Sequence, residues 1–403
     1  MIFHKDMNNS RIFPIFVGVK NRHVTMKRIV VALDSFKGSL TSLKAGRAFA
    51  EGFIAASPDT EVRVVAIADG GEGTAEAVAM DGRGVLREVA TCDALCRPIK
   101  ASYAIVDEGA TAVIAMAAAS GLTHLDSSER NPLIASSYGT GLLVRDALMQ
   151  GCRKIVVGLG GSATTDCGVG MLMALGYRFY DAKGEELTTP IDILERVACI
   201  STSGVSPELA ETTFVVASDV DIPLYGERGA AHVFAPQKGA DGAMVERLDA
   251  ALRHFAKVVE SDPKTPLACS AGMGAAGGMG YALARFMNAT VRRGIDMLLD
   301  MVDFERMIAD ADLVVTGEGC LDSQTLMGKA PSGVLQRAQR LGVPCIAVGG
   351  RVVEEVDFTA HGFAALYAVT PDDMSLEVAM QPHQAYDNVR RCAMVVAQEF
   401  AYR

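Results

Sequence analysis

No apolar stretch in this sequence of 403 residues reaches the roughly 18 needed for a membrane-spanning helix. The longest candidates, such as Ala112 to Ala119, have the length of core segments. There is no G-x-x-x-x-G-K-[ST] run either. Gly328-Lys329 comes nearest, but Ala330 follows and the upstream glycine is missing, which argues against a P-loop site. The seven histidines show no H-E-x-x-H or similar spacing. Positive charge is in short supply: 38 Lys and Arg face 48 Asp and Glu, for a net charge of −10. A general nucleic-acid binder needs a basic surface, so that class is set aside. An anionic small substrate is not, because local lysines and a bound cation reverse the field inside a cleft. No internal repeat or low-complexity linker is present. The nine cysteines are odd in number and scattered along a long chain, which predicts a reduced, cytoplasmic protein. Cys92 and Cys96 form a lone C-x3-C, short of the four ligands a zinc site normally takes.

What the chain does have is a set of small, glycine-rich, acidic loops, each after a β-like run. They read DSFKGS (34–39), ADGGEGT (68–74), GLGGSATTD (158–166) and TGEGCLDSQT (316–325). Glycine lets backbone N–H groups approach phosphate oxygens, and carboxylates hold the metal that neutralises them. Four such loops in one chain point to phosphoryl transfer.

The hydrophobic pattern predicts an α/β fold. KRIVVALD (27–34) reads as a buried strand, 42–56 as a helix stopped by Ser57-Pro58, and 62–67 as a second strand. The same grammar returns near the other end: strand 312–316, helix 331–341 with Gly342 after it, strands 344–348 and 364–369, and a last helix over 384–402. No comparable regularity is read through the middle. The expectation is two domains. A flavodoxin- or Rossmann-like parallel-sheet domain is built from both chain ends (26–71 with 293–403), and a large α/β domain (72–292) is inserted into it. Residues 1–25 carry too short an apolar stretch for a signal peptide and are expected to be a disordered leader before Met26. Ligands bind beyond the carboxyl ends of parallel strands, so DSFKGS, ADGGEGT and TGEGCLD are expected on one sheet edge, facing a cleft shared with the inserted domain.

Each candidate has a plainer alternative. Lys37 could be one more surface lysine. Asp69 and Glu72 could serve turn chemistry, which favours Asp-Gly. Asp166 could be a helix N-cap. Glu318 and Asp322, four apart, form a better carboxylate cluster. Asp219 ends the apolar run 213–217, and Lys238 stands in FAPQKGA (234–240). Ala271 to Gly280 could be a phosphate-binding turn or a tight contact of small residues. GLGGSA (158–163) and GMGAAG (272–277) match dinucleotide fingerprints, a weak signal in a chain with 40 glycines.

At these residues the chain resembles the bacterial glycerate 2-kinase family, the glycerate kinases of the GlxK/GarK type. The resemblance runs from about residue 27 to the C-terminus. It is carried by DSFKGSL, ADGGEGT, GLGGSATTD-CGVGML, SDV-IPLYGERGAAHVFAPQKGA, GMGAAGGMGYAL and TGEGCLDSQT-GKAP. It implies ATP-dependent, Mg²⁺-assisted phosphorylation of D-glycerate, usually to 2-phosphoglycerate, and a flavodoxin-like domain with a large insertion. Two departures stand out. Cys320 occupies a position where the family commonly has a basic residue, and Thr165 one where it often has Asn.

The expected chemistry is in-line attack by a glycerate hydroxyl on the γ-phosphoryl of ATP, so catalysis is mostly positioning and charge neutralisation. Glu318 and Asp322 are the candidates to hold Mg²⁺ or the nucleotide phosphates. Lys37 would hold the substrate carboxylate or the transferring phosphoryl, and Asp166 or Asp69 would accept the hydroxyl proton. Gly160, Gly161 and Ser162 would offer backbone donors. Ser35, Gly70, Gly71, Glu72, Asp219, Lys238 and Lys329 complete the expected substrate- and phosphate-binding set. Domain closure is expected, because water and glycerate are both hydroxyl nucleophiles. The expected partners are small molecules only, D-glycerate and ATP, with no nucleic acid and no membrane, for a monomer or homodimer. A kinase giving 3-phosphoglycerate or acting on another hydroxy acid stays open, as does a nicotinamide-dependent oxidoreductase.

Overall fold

The computed structural model describes residues 27–401 apart from 69, 72, 261–265 and 354. The expected leader, Asp69 and Glu72 therefore lie outside the described residues. Two compact units emerge, one from the chain up to residue 68 together with 299 onward, the other from 69–298.

The first unit holds a five-stranded parallel sheet. Its first strand, Arg28–Leu33, is β-branched and aliphatic, and Ile29 to Leu33 are completely buried. It pairs with Glu61–Val64 on one side and Leu313–Leu321 on the other; Cys345–Val352 and Ala365–Ala368 follow outward. Numbered along the chain, the strands lie in the order 2-1-3-4-5, the flavodoxin-like order. It reverses between Arg28–Leu33 and Leu313–Leu321, and ligands bind at such a switch point, beyond the strand ends.

Helix Ser42–Ala56 starts where the side chain of Thr41 accepts a hydrogen bond from the N–H of Lys44 (3.3 Å). Ser42 Oγ donates to Leu33 O (2.7 Å) and accepts from Ile67 N (2.9 Å), which ties the end of Arg28–Leu33 to the segment beyond Glu61–Val64, where the strand expected to reach 67 has already ended. The helix buries Phe49 and Phe53 against Val389 and Val396 of the C-terminal helix Pro382–Ala401 and the sheet residues Val31 and Ile346. A Cβ on Gly52 would fall 2.0 Å from Arg390 O, so the two helices meet backbone to backbone at that glycine.

One expected loop is a strand. The chain does not leave the sheet after Thr316 but continues to Leu321, with Glu318 opposite Gly349 and Cys320 opposite Arg351. A Cβ on Gly317 would stand 1.8 Å from Val348 O, so this glycine serves close strand approach, not a turn.

The second unit is more regular than its sequence suggests. Thr290–Arg292, Thr213–Ala217, Lys154–Gly158 and Thr111–Ala115 are parallel neighbours, and Pro98–Val106 and Gly84–Cys92 extend the sheet antiparallel. A small antiparallel sheet of Arg178–Tyr180, Glu186–Leu187 and Cys199–Ser201 accompanies it. The glycine run at 271–280 leads into helix Ala275–Met287, where Ala276, Gly277 and Gly278 all have positive φ (51°, 66° and 95°). A Cβ on Gly277 would sit 2.2 Å from Thr164 O, so this run makes a tight contact of small residues with the GLGGSATTD segment. Among the described residues no helix is long and apolar enough to cross a membrane.

Candidate functional site

In the first unit, Ser35, Lys37, Glu318, Asp322 and Lys329 line one cavity of about 800 Å³. They come from the turn after Arg28–Leu33, the far end of its neighbour Leu313–Leu321 and the segment that follows, which places them at the switch point. The turn is closed by paired backbone bonds between Phe36 and Leu40, and Gly38 takes φ 77° within it. Lys37 is exposed at its tip. Ser35 N donates to Asp34 Oδ1 (2.7 Å), and Asp34 itself is buried.

Glu318 is 8% exposed. Thr325 Oγ1 donates to its Oε1 at 2.7 Å, and Lys329 Nζ stands 3.7 Å from its Oε2. Burial pushes its carboxyl above the usual range; the Thr325 hydroxyl and Lys329 oppose that shift, and Asp322 adds to it. Asp322 Oδ1 accepts from Gln324 N (2.8 Å) and Thr325 N (3.3 Å), while Asp322 N donates to Thr325 Oγ1 (3.0 Å). Thr325 thus links the two carboxylates. Two carboxylates beside lysines suit Mg²⁺, which binds through one or two protein carboxylates plus phosphate oxygens and water. Among the described residues no cluster of three or more His, Cys, Asp or Glu suited to a metal occurs.

The sequence reading did not single out Arg351, which also lines the cavity. It stands beside Cys320 in the sheet register. Cationic charge is therefore present next to the position where the resemblance leads one to expect a basic side chain. The signal lay in strand pairing, which a single chain segment does not reveal.

In the second unit, Gly70 and Gly71 pack on the end of Lys154–Gly158. Cβ atoms on Gly158 and Gly160 would lie 2.0 Å from Gly70 O and 2.7 Å from Gly71 Cα. Gly161 is exposed, with φ 74°. Ser162 and Lys238 are buried, and Lys238 is only 2% exposed. Its Nζ donates to Ser162 Oγ (3.0 Å) and Thr164 O, and burial pulls its pKa down to about 7. Lys238, expected to bind phosphate, braces the glycine loop from inside.

Asp166, expected as a proton acceptor, is likewise fully buried. Its Oδ2 accepts from Ser137 N (2.8 Å), Ser137 Oγ (2.7 Å) and Gly170 N (3.2 Å), and its Oδ1 from Gly168 N (3.2 Å). The carboxylate ties the segment before helix Val169–Ala174 to Ser137; the N-cap of that helix is Gly168, so Asp166 stands two residues ahead of the cap position. Asp219 is exposed, and its Oδ1 accepts from Gly294 N at 3.1 Å.

Ala163 of the glycine loop packs against Ala94, with Leu95 beside them; both belong to the turn that joins Cys92 to Cys96. Cys92 is buried and Cys96 exposed. The Cys92 thiol donates to Cys96 and draws its pKa down to about 7, whereas burial raises the exposed Cys320. Alkylation with limiting iodoacetamide at neutral pH is therefore expected to label Cys96 before Cys320. Peptide mass mapping checks this, and equal labelling would contradict the thiol pairing.

A flavodoxin-ordered sheet with carboxylates and lysines at its switch point, joined to a second α/β unit with a braced glycine loop, is the framework of an enzyme for small anionic ligands. The profile of the glycerate kinase family matches residues 29–401. A glycerate kinase of Bacillus subtilis (strain 168) is 41% identical over 360 residues, 89% of this chain and 94% of that protein. A glycerate 2-kinase of Escherichia coli (strain K12) is 39% identical over 375 residues, 93% of this chain and 98% of that one. A crystal structure described as a glycerate kinase 2 from Salmonella typhimurium LT2 superposes with a TM-score of 0.80 at 42% identity, covering 93% of this chain and 98% of that one. The chain belongs to the glycerate kinase family.

Proposed function

We propose that this protein transfers the γ-phosphoryl group of ATP to D-glycerate with Mg²⁺, giving 2-phospho-D-glycerate. The observation that carries the reading is the Glu318–Asp322 pair beside Lys37 and Lys329 at the switch point of the sheet. The 2-position follows the name of the Escherichia coli relative.

Glu318 and Asp322 would hold Mg²⁺, which neutralises phosphate charge when bound. Lys37, on an exposed turn, supplies a point charge to the transferring phosphoryl or the glycerate carboxylate. Lys329 favours the ionised form of the buried Glu318 against the effect of burial and adds charge where phosphate oxygens would lie. The Gly160–Ser162 segment, braced by Lys238, is kept in one conformation, so donors from its backbone would cost little reorganisation. Because both carboxylate oxygens of Asp166 are engaged inside the fold, its part in this reading is to hold that segment. Asp69 is left as the candidate to accept the hydroxyl proton. The same reading carries a cytoplasmic location, small-molecule partners, and a monomer or homodimer.

The test is ADP release from Mg-ATP with D-glycerate, with the product read by phosphorus NMR. 2-Phosphoglycerate is the expected product. A 3-phospho product would overturn the regiochemistry, and no turnover by folded protein would overturn the substrate.

A further inference from the structure

The geometry points to the apolar wall of the first unit's cavity as the seat of the nucleoside base, with the triphosphate running toward Lys37, Lys329 and the Glu318–Asp322 pair. This rests on the proposed phosphoryl transfer from ATP and adds which cavity takes the nucleotide and which way round it lies.

The cavity is lined by two unlike sets of residues. One comprises the lysines and carboxylates already described. The other comes from the segment after the edge strand Ala365–Ala368 and comprises Val369, Pro371, Met374, Leu376 and Met380. Leu376 is 75% exposed and Met380 40%, so large apolar side chains stand open to solvent inside a recess. Open apolar surface lining a cavity marks a ligand seat. The two sets line one space: the Met380 methyl lies 3.0 Å from where a Cβ on Gly38 would be, next to Lys37.

Size and chemistry choose the occupant. A volume of about 800 Å³ lies in the upper part of the roughly 300–1,000 Å³ range of cavities that enclose drug-sized ligands. A three-carbon hydroxy acid would leave most of it empty and has no apolar face for Leu376 or Met380 to cover. A nucleoside triphosphate is anionic at one end and presents a flat, weakly polar ring at the other. Thioether and aliphatic side chains pack well on such a ring, and methionine sulfur makes favourable contacts with aromatic edges. The wall belongs partly to the short helix Leu376–Ala379, whose start is held by the N–H of Val378 donating to the Ser375 hydroxyl (3.4 Å). An exposed side chain on it can be changed without opening the core.

Titration calorimetry of Mg-ADP and of inorganic tripolyphosphate into the full-length protein tests this, with Leu376→Asp and Leu376→Ser as variants. Wild-type protein is expected to bind Mg-ADP, and each variant to bind it about tenfold more weakly, the order expected when one large apolar contact is lost. Tripolyphosphate binding and the KM for glycerate are expected to change by less than about twofold, since the phosphate end is untouched. Wild-type binding of Mg-ADP with both variants unaffected would overturn the placement of the base while leaving the proposed function standing. A KM for glycerate that rises in place of the nucleotide Kd would also overturn it, by putting the acid in this cavity. Failure of the wild-type protein to bind any nucleotide would sink the ATP reading itself, and the base seat with it.

Discussion

Asp322→Asn and Lys37→Ala are each expected to lower kcat by about 10²–10³-fold, the usual cost of removing one preorganised electrostatic group, with the thermal midpoint nearly unchanged. The asparagine keeps the acceptor at Oδ1 that receives Gln324 N and Thr325 N, so the turn that carries residue 322 stays closed. What disappears is the negative charge beside Glu318. Half of the proposed cation site goes with it, and the variant should need more Mg²⁺ for half-maximal rate. Lys37 stands exposed on a turn fixed by the Phe36–Leu40 backbone pairing, so shortening its side chain does not disturb the core. Steady-state kinetics across a Mg²⁺ titration, together with a melting curve, give the answer. If both variants turned over at near-normal rates, the proposed centre would be in the wrong place.

Asp166→Ala is expected to act on stability more than on chemistry. The substitution leaves Ser137 N, Gly168 N and Gly170 N without their acceptor, in a region where Asp166, Ser137 and Gly170 are buried. It also leaves buried Lys238 without the nearby negative charge that favours its protonated form. Buried donors that lose their partner cost ~1–3 kcal/mol each, and breaking a buried charged network costs ~3–5 kcal/mol. A loss in that range should appear as a lower denaturation midpoint, with hydrogen exchange faster over 158–175. Asp166→Asn should cost less, because one carbonyl acceptor remains. Unchanged stability with abolished turnover would instead return Asp166 to the role of proton acceptor.

The contrast between these aspartates shows where sequence reading stopped. Helix Ser42–Ala56 was legible, because its apolar face and the Ser57-Pro58 stop are local chemistry; its Thr41 cap was not read. The switch-point loops were legible because glycine and charge stand together after apolar runs. The continuation of a strand through TGEGCL was not, since glycine signals a turn unless a neighbouring strand approaches as closely as Val348 does Gly317. The strand order of the inserted sheet was not legible, for a related reason. Thr111–Ala115, Thr213–Ala217 and Thr290–Arg292 are short and far apart in the chain, so no local period links them. Asp166 and Lys238 lie in motifs rich in small residues, as Asp322 and Lys37 do. Only packing distinguishes a polar group turned inward from one turned to solvent.

The pairing of Arg28–Leu33 with Leu313–Leu321 also sets a timetable for the nascent chain. The N–H of Lys27 donates to Asp312 across 285 positions of sequence, and Phe53 and Val396 belong to one hydrophobic core. Arg28–Leu33 leaves the ribosome well before Leu313–Leu321, so one of its two partners is made far later than the other. At ~5–20 residues per second, an apolar five-residue core segment waits tens of seconds before its sheet can close. The interrupting unit is continuous in sequence and completes first. Newly made chains thus pass through an interval with one finished unit and a half-paired, aggregation-prone strand, the kind of species that chaperones bind.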